Sequence, residues 1–385
     1  MSLIYLDNAA TTFPKPKRVY DEVDNCIRNY CGNPGRSAHP LAIAASEKIF
    51  ECRELVASFF GSQHPENVIF TQNATYALNM AIKGVLRRGD HVLISDMEHN
   101  SVFRPIAIAA KNGLIDYDIF PTIKDGKPMS YNEIRQSILS LIRPGKTRAL
   151  ICAHIPNISS VVRPINVIGD LCKRNGIIFI VDCAQSAGHI PIDIKASGID
   201  ILCAPAHKGL FGIQGCGFML LGNNCPTLST IIEGGNGVNS LDSDIPDLPP
   251  ERFESGTLPT PSIAALSEGI KFLSELEPTR IKAHEEMLFC RLASALSSSK
   301  IKAKIYTPSC EGSVLLFNIE NRSSDEVCEK LGKENICLRG GYHCSALGHK
   351  ALSTAKSGAI RASFSIFTTR EDIDALYKSL VEMLR

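Results

Sequence analysis

IIFIVDCAQSAGHIPIDIKASGIDILCAPAHKG, residues 177–209, holds two short apolar runs, and each gives way at once to polar residues. "IIFIV" is followed by Asp182, Cys183, Ala184 and Gln185; "IDILCAPA" is followed by His207, Lys208 and Gly209. Near-continuous apolar runs of this length read as strands buried on both faces. Working outward, helical and strand patterns alternate from about residue 45 to 220. "ASEKIFECRELVASFFG" has a helical period and ends in glycine, and "NVIF" precedes the helical "NATYALNMAIKGVLRRG". "HVLISD" and "RALICAHI" are further strand runs, and "NVIGDLCKRNG" is a helix. This alternation predicts an α/β fold whose mostly parallel sheet is covered by helices on both faces. Ligands of such sheets bind beyond the C-terminal ends of the strands.

Residues 223–262 break the alternation with a stretch rich in Gly, Pro, Ser and Asp. Long loops of this kind are often functional or lie at domain junctions. The helical "SIAALSEGIKFLSEL" follows, then a mixture of helices and short strands such as "SVLLFNI". The expected organisation is an N-terminal segment, 1–15, near the active site, a large domain, 16–255, and a small α+β C-terminal domain, 256–385.

Formal net charge is +1, from 41 basic and 40 acidic residues, so there is no electrostatic reason to expect nucleic acid or an anionic membrane as partner. The N-terminus does not read as a secretory signal, and the longest apolar runs fall far short of the roughly 20 residues of a membrane helix. A cytoplasmic protein is expected. Its 14 cysteines are scattered, with no Cys-x-x-Cys pair. His343, Cys344 and His349 come nearest to a metal cluster but lack a fourth ligand, so no metal and reduced thiols are expected.

The strand ends carry the chemistry. After "NVIF" come Thr71, Gln72, Asn73, Ala74 and Thr75, which open a helix and form either an anion site or an ordinary N-cap. After "HVLISD" come Met97, Glu98, His99 and Asn100, and after "RALICAHI" come Pro156 and Asn157. Singly, each residue has a plain structural reading: a capping Asp182, a satisfied core His99, a solvated Lys208. Together they set an acid, an imidazole, an amine, amide side chains and an anion cradle along one sheet edge. Pyridoxal 5′-phosphate needs that set: a lysine for its aldehyde, a carboxylate for its pyridine nitrogen and an anion site for its phosphate.

At this point the chain resembles the class V aminotransferase group of fold-type I pyridoxal phosphate enzymes. The resemblance runs through "YLDNAATTFP", "NPGRSAHPLA", "FTQNATYALNMAIKG", "MEHNS", "VDCAQSAGHIPIDI", "APAHKGLFGIQGCGFM", "FESGTLPTP", "GGYHCSALGH" and "GAIRASFSIFTT", essentially the whole chain. Within the group it looks like a cysteine desulfurase with a short active-site loop, related to selenocysteine lyases.

The resemblance implies the following roles. Lys208 matches the Schiff-base lysine and Asp182 the carboxylate under the pyridine nitrogen. Gln185 matches the amide on the phenolic oxygen, His99 the imidazole stacked on the ring, and Asn157 a residue beside cofactor and substrate. Thr75 and His207 match phosphate contacts; Ala74 offers only its amide there. Thr257 matches a residue reaching the phosphate of a neighbouring subunit, which implies a homodimer with shared active sites; a structural turn is the competing reading. Arg361 matches the arginine that binds the substrate carboxylate, and Arg339 a second arginine nearby.

Cys344 matches the sulfur nucleophile. His343 and the two arginines are expected to favour its thiolate, and Gly340, Gly341 and Gly348 to make its loop mobile. The implied reaction takes L-cysteine to alanine and leaves a persulfide on Cys344 for an acceptor protein, as in iron–sulfur cluster assembly. L-selenocysteine is the rival substrate, and another Cβ–X lyase or a class V aminotransferase the rival activity. One departure stands out. Many relatives carry a phosphate-binding serine three residues before the lysine, where this chain has Pro205. The proline offers neither hydroxyl nor N–H.

Overall fold

The protein is described by a computed structural model over residues 3–35, 37–238, 241, 243–276, 278–297, 301–307, 309 and 311–383. Asn239 and Ser240 of the glycine-rich loop, and Cys310, lie outside the described residues. In chain order the structure forms β1 (Ile4–Tyr5), α1 (Lys17–Asn29), α2 (Pro40–Phe59), β2 (Val68–Thr71), α3 (Ala74–Val85), β3 (His91–Ser95), α4 (Asn100–Lys111) and β4 (Asp116–Phe120). A small hairpin follows, β5 (Ile123–Lys124) and β6 (Lys127–Pro128), then α5 (Tyr131–Leu141), β7 (Thr147–Ala153), α6 (Ile165–Asn175), β8 (Ile178–Asp182), β9 (Ile201–Pro205) and β10 (Gly217–Leu221). The rest of the chain adds α7 (Thr260–Glu275), α8 (Pro278–Leu296), β11 (Ala303–Ile305), β12 (Val314–Ile319), α9 (Ser324–Lys333), β13 (Ile336–Cys337), α10 (Ala346–Ala351), β14 (Ile360–Ser363) and α11 (Arg370–Met383).

Seven strands form one sheet in the order β2-β10-β9-β8-β7-β3-β4. The pairings from β9 to β4 are parallel, while β10 runs antiparallel to both β2 and β9. The expected α/β class and mostly parallel mixed sheet are therefore present. Alternation along each strand divides the core. Phe179 and Val181 join an apolar cluster with Ile134, Ile168 and Ile263, whereas Ile178 and Ile180 join another with Leu78, Ile82 and Ile106. Each fully buried Ile or Phe contributes roughly 1.5–3 kcal/mol, so both faces hold the sheet between helices.

A three-stranded antiparallel sheet, β11-β12-β14, packs with α8, α9 and α11 in a third cluster that includes Leu288, Phe317, Leu331 and Leu376. Ile4 and Leu6 belong to this cluster, and β1 pairs in parallel with β13. The N-terminal segment then crosses to the large sheet, where the Thr12 amide donates to the His207 carbonyl at 3.1 Å. Helix α7, inside the expected small domain, packs on α1 and α2, and its Ile263 and Leu266 belong to the large cluster. The packing partner changes along α8, between Ile281 and Leu288. Among the described residues no helix is long and apolar enough to cross a membrane.

Candidate functional site

The polar residues that follow the strands converge at one edge of the large sheet. A cavity there is lined by Ala74, Thr75, His99, Asn157, Asp182, Gln185, His207 and Lys208, so these sequence-selected residues are neighbours in space. Asp182 ends β8, is 5% exposed, and accepts the Ala184 amide at 2.9 Å. Burial raises its carboxyl, while that amide and the Lys208 ammonium oppose the rise. Burial also pulls the Lys208 ammonium down to about 8, with Asp182 opposing and Arg361 and Arg339 assisting. The amine is thus held near the point where it gives up its proton at ordinary pH.

Helix α4 begins after His99, whose Nδ1 accepts the Ser101 amide at 3.0 Å and lies 2.8 Å from the Ser101 hydroxyl. A backbone N–H can only donate, so Nδ1 is an acceptor and the neutral ring carries its proton on Nε2. Burial, with the Lys208 charge, pulls His99 down to about 4, so the ring is uncharged at neutral pH. Across the cavity Ala74 and Thr75 form the first turn of α3, whose N-cap Asn73 accepts the Tyr76 amide at 3.1 Å. This turn lies so close to β10 that a Cβ on Gly217 would meet the Asn73 carbonyl carbon at 2.7 Å and the Ala74 nitrogen at 2.9 Å. His207 is pulled down to about 4 by burial, and its Nδ1 is buried without a partner. Its carbonyl accepts Lys15 Nζ at 2.7 Å. Gln185 Nε2 donates to the Ala9 carbonyl at 2.8 Å.

Arg361, on β14, is 1% exposed. Its Nη1 donates to the Asn157 carbonyl at 3.1 Å and its Nη2 pairs with Asp7 Oδ1 at 2.7 Å. Asp7 is carried there because Ser363 stitches the N-terminal segment to β14: its amide donates to the Leu6 carbonyl at 2.8 Å and its hydroxyl accepts the Ala9 amide at 2.8 Å. Arg339 and Arg361 form a backbone bridge although 22 positions (361 minus 339) separate them. Thr257 is exposed and does not line the cavity of its own chain.

Cys344 is exposed, and both it and His343 hold left-handed backbone conformations, φ 54° and 50°. Asn157 Nδ2 donates to the His343 carbonyl at 2.6 Å, and the Asn100 amide donates to the Cys344 carbonyl at 2.8 Å. Two expectations change here. Burial pulls His343 down to about 3, so it is uncharged and lends no positive charge to Cys344. The glycines also have a packing role. A Cβ at Gly340 would meet Asp325 Oδ1 at 2.6 Å, and one at Gly348, inside α10, would meet Ile158 Cδ1 at 2.7 Å. Both positions serve close packing; Gly341 alone of the three has positive φ, 90°.

Asp7, Ser101 and His349 were not singled out by role, although Asp7 lies in "YLDNAATTFP" and Ser101 in "MEHNS". Motif membership was the available signal. Among the described residues no group of three or more His, Cys, Asp or Glu side chains is placed to hold a metal ion.

Fold and site edge together are those of an α/β enzyme of the aminotransferase class. The chain belongs to the Aminotransferase class-V family, whose model matches residues 4–376, and within it to the cysteine desulfurases. It is 31% identical to a probable cysteine desulfurase of Methanothermobacter thermautotrophicus over 99% of this chain and 94% of that protein. A cysteine desulfurase of Yersinia pseudotuberculosis is 29% identical over 98% of this chain and 92% of its own length. Among solved structures, the apo cysteine desulfurase of Thermococcus onnurineus superposes with a TM-score of 0.88 at 27% identity, covering 99% of this chain and 94% of that one.

Proposed function

We propose that the protein is a pyridoxal 5′-phosphate-dependent cysteine desulfurase that converts L-cysteine to L-alanine and leaves the sulfur as a persulfide on Cys344. One observation carries the reading. A buried lysine with its ammonium drawn to about 8 shares a cavity with a buried carboxylate and an uncharged imidazole, and exposed Cys344 is tied by its backbone to that imidazole's helix. The residues fit the cofactor. His207 Nδ1 is buried without a partner, and Ala74 and Thr75 of the first turn of α3 line the same cavity, where a helix N-terminus suits a phosphate.

When bound, the cofactor supplies a carbonyl for the substrate amine and an electron sink for charge at Cα. Lys208 would hold it covalently and, as a free amine, would move the Cα proton, a task suited to an amine drawn down to about 8. Asp182 would pair with the pyridine nitrogen, Gln185 and Asn157 would hold the ring oxygen, and His99 would cover the ring face. Ala74 and Thr75 would hold the phosphate with His207, and Thr257 would reach the partner's phosphate in a homodimer. Arg361, supported by Arg339, binds the carboxylate of L-cysteine. The Cys344 thiolate attacks the substrate sulfur: an S–S bond forms, the C–S bond breaks, and its electron pair stays with the three-carbon unit, which takes up protons and leaves as alanine. Exposure of Cys344 beside Tyr342, 55% exposed, suits hand-over of the sulfur to an acceptor protein in the cytoplasm, with iron–sulfur cluster assembly as the route.

The test is alanine production from L-cysteine by the wild type and by Cys344→Ala, with mass spectrometry for one added sulfur on the Cys344 peptide. Undiminished alanine from the variant, or no added sulfur on the wild type, overturns the persulfide reading.

A further inference from the structure

Ser101 is the second residue of α4, is 7% exposed, and lines the cavity with Thr75, His99 and His207. Its hydroxyl lies 2.8 Å from Thr75 Oγ1 and 2.8 Å from His99 Nδ1. With Nδ1 an acceptor, the Ser101 hydroxyl 2.8 Å away donates to it; the Ser101 amide also serves Nδ1 at 3.0 Å, so the hydroxyl proton can turn to a charged acceptor in the cavity and leave the ring nitrogen bonded. Opposite, Pro205 ends β9 and lines the same cavity with neither N–H nor hydroxyl. The hydroxyl donors at the mouth of α3 are therefore Thr75 and Ser101, set side by side. A dianionic group seated on the α3 amides meets both, and a hydrogen bond to a charged acceptor is worth more than one between neutral partners.

We propose that the Ser101 hydroxyl is a phosphate ligand of the cofactor, paired with that of Thr75. The inference rests on the pyridoxal phosphate reading above. It makes the phosphate cup of this chain a two-helix device, with one hydroxyl from the start of α3 and one from the start of α4, in place of a donor on β9.

The test titrates the cofactor-free protein with pyridoxal 5′-phosphate and, separately, with pyridoxal, following the absorbance of the lysine adduct. Wild type, Ser101→Ala and Ser101→Thr are compared. Loss of one charge-assisted hydrogen bond predicts that Ser101→Ala binds the phosphorylated cofactor roughly tenfold or more weakly. Its affinity for pyridoxal stays at the wild-type value, and Ser101→Thr, which restores a hydroxyl, recovers most of the loss. Inorganic phosphate competes with pyridoxal 5′-phosphate less well in Ser101→Ala than in wild type. Equal affinity of Ser101→Ala and wild type for pyridoxal 5′-phosphate overturns the inference. So does a parallel loss for both ligands, which marks a packing defect. Failure of the wild type to bind pyridoxal 5′-phosphate is a separate result, and it removes the cofactor reading itself.

Discussion

The Cys344 carbonyl accepts the amide of Asn100 at 2.8 Å, so the exposed cysteine is joined through one residue to His99, which lines the cavity at the sheet edge. The loop that carries the thiol is thereby anchored by its backbone while its side chain stays open to solvent.

That anchoring separates function from stability at Cys344. The side chain is exposed and its φ of 54° lies in the left-handed region, which glycine adopts freely. Cys344→Gly is expected to abolish persulfide formation without lowering the thermal midpoint. A midpoint drop comparable to that of a buried Cys152→Gly would show that the thiol is a packing element after all.

Lys208→Met is expected to stabilise the cofactor-free protein at pH 7. The folded-state ammonium is drawn down to about 8 from 10.5, so at pH 7 it is charged in both folded and unfolded chains and the burial cost is fully present. That shift corresponds to a cost of about 3 kcal/mol, which the wild type sheds as pH rises from about 8 through 10.5. Denaturant midpoints of the two proteins should therefore converge between pH 7 and pH 10.5. A constant gap would assign the effect to packing.

Asp7 occupies Arg361 through Nη2 at 2.7 Å, on the guanidinium proposed to bind the substrate carboxylate. Asp7→Asn leaves that buried cation without its carboxylate, a loss that typically costs several kcal/mol. A small amino acid carboxylate then replaces the missing partner. L-alanine, the product, is expected to raise the thermal midpoint more in Asp7→Asn than in wild type, both loaded with cofactor. Equal shifts would show that the two carboxylates do not share Arg361.

Acid should unfold the protein early. His99, His154 and His207 are drawn down to about 4 and His343 to about 3, chiefly by burial. A histidine with its folded value below the ordinary 6.5 binds more protons when unfolded. The stability it contributes is therefore complete above pH 6.5 and is lost as pH falls through the folded value. Unfolding free energy measured between pH 7 and pH 4 should fall by up to about 1.4 kcal/mol per pH unit for each such histidine. A flat profile over that range would contradict the buried, uncharged state of these rings.

Much of the architecture is readable from the chain because its strands are short, apolar and punctuated. "IIFIV" and "IDILCAPA" announce two central strands, and the parallel direction of β3, β7 and β8 follows from the helices between them, whereas β8 reaches β9 through turns with no helix. The direction of β10 does not follow. "GFMLL" carries no sign of running antiparallel to both its neighbours, because a buried strand looks the same from either end. The eight cavity residues named from the strand ends are brought together, since topology sends every parallel strand's polar end to one edge.

Other relationships depend on contacts no local pattern records. Asp7 meets Arg361 across 354 positions, and Ser101 meets Thr75 across 26. The charge of His343 is decided by burial beside His349, whose Nε2 lies 3.2 Å from His343 Nδ1. By itself the sequence determined the class of sheet, the edge on which the chemistry lies and the residue types that meet there, because periodicity and strand-end polarity are local properties. Only the tertiary structure decided which groups are charged, which are already partnered and how Cys344 is anchored, because burial and long-range hydrogen bonds arise when distant segments pack.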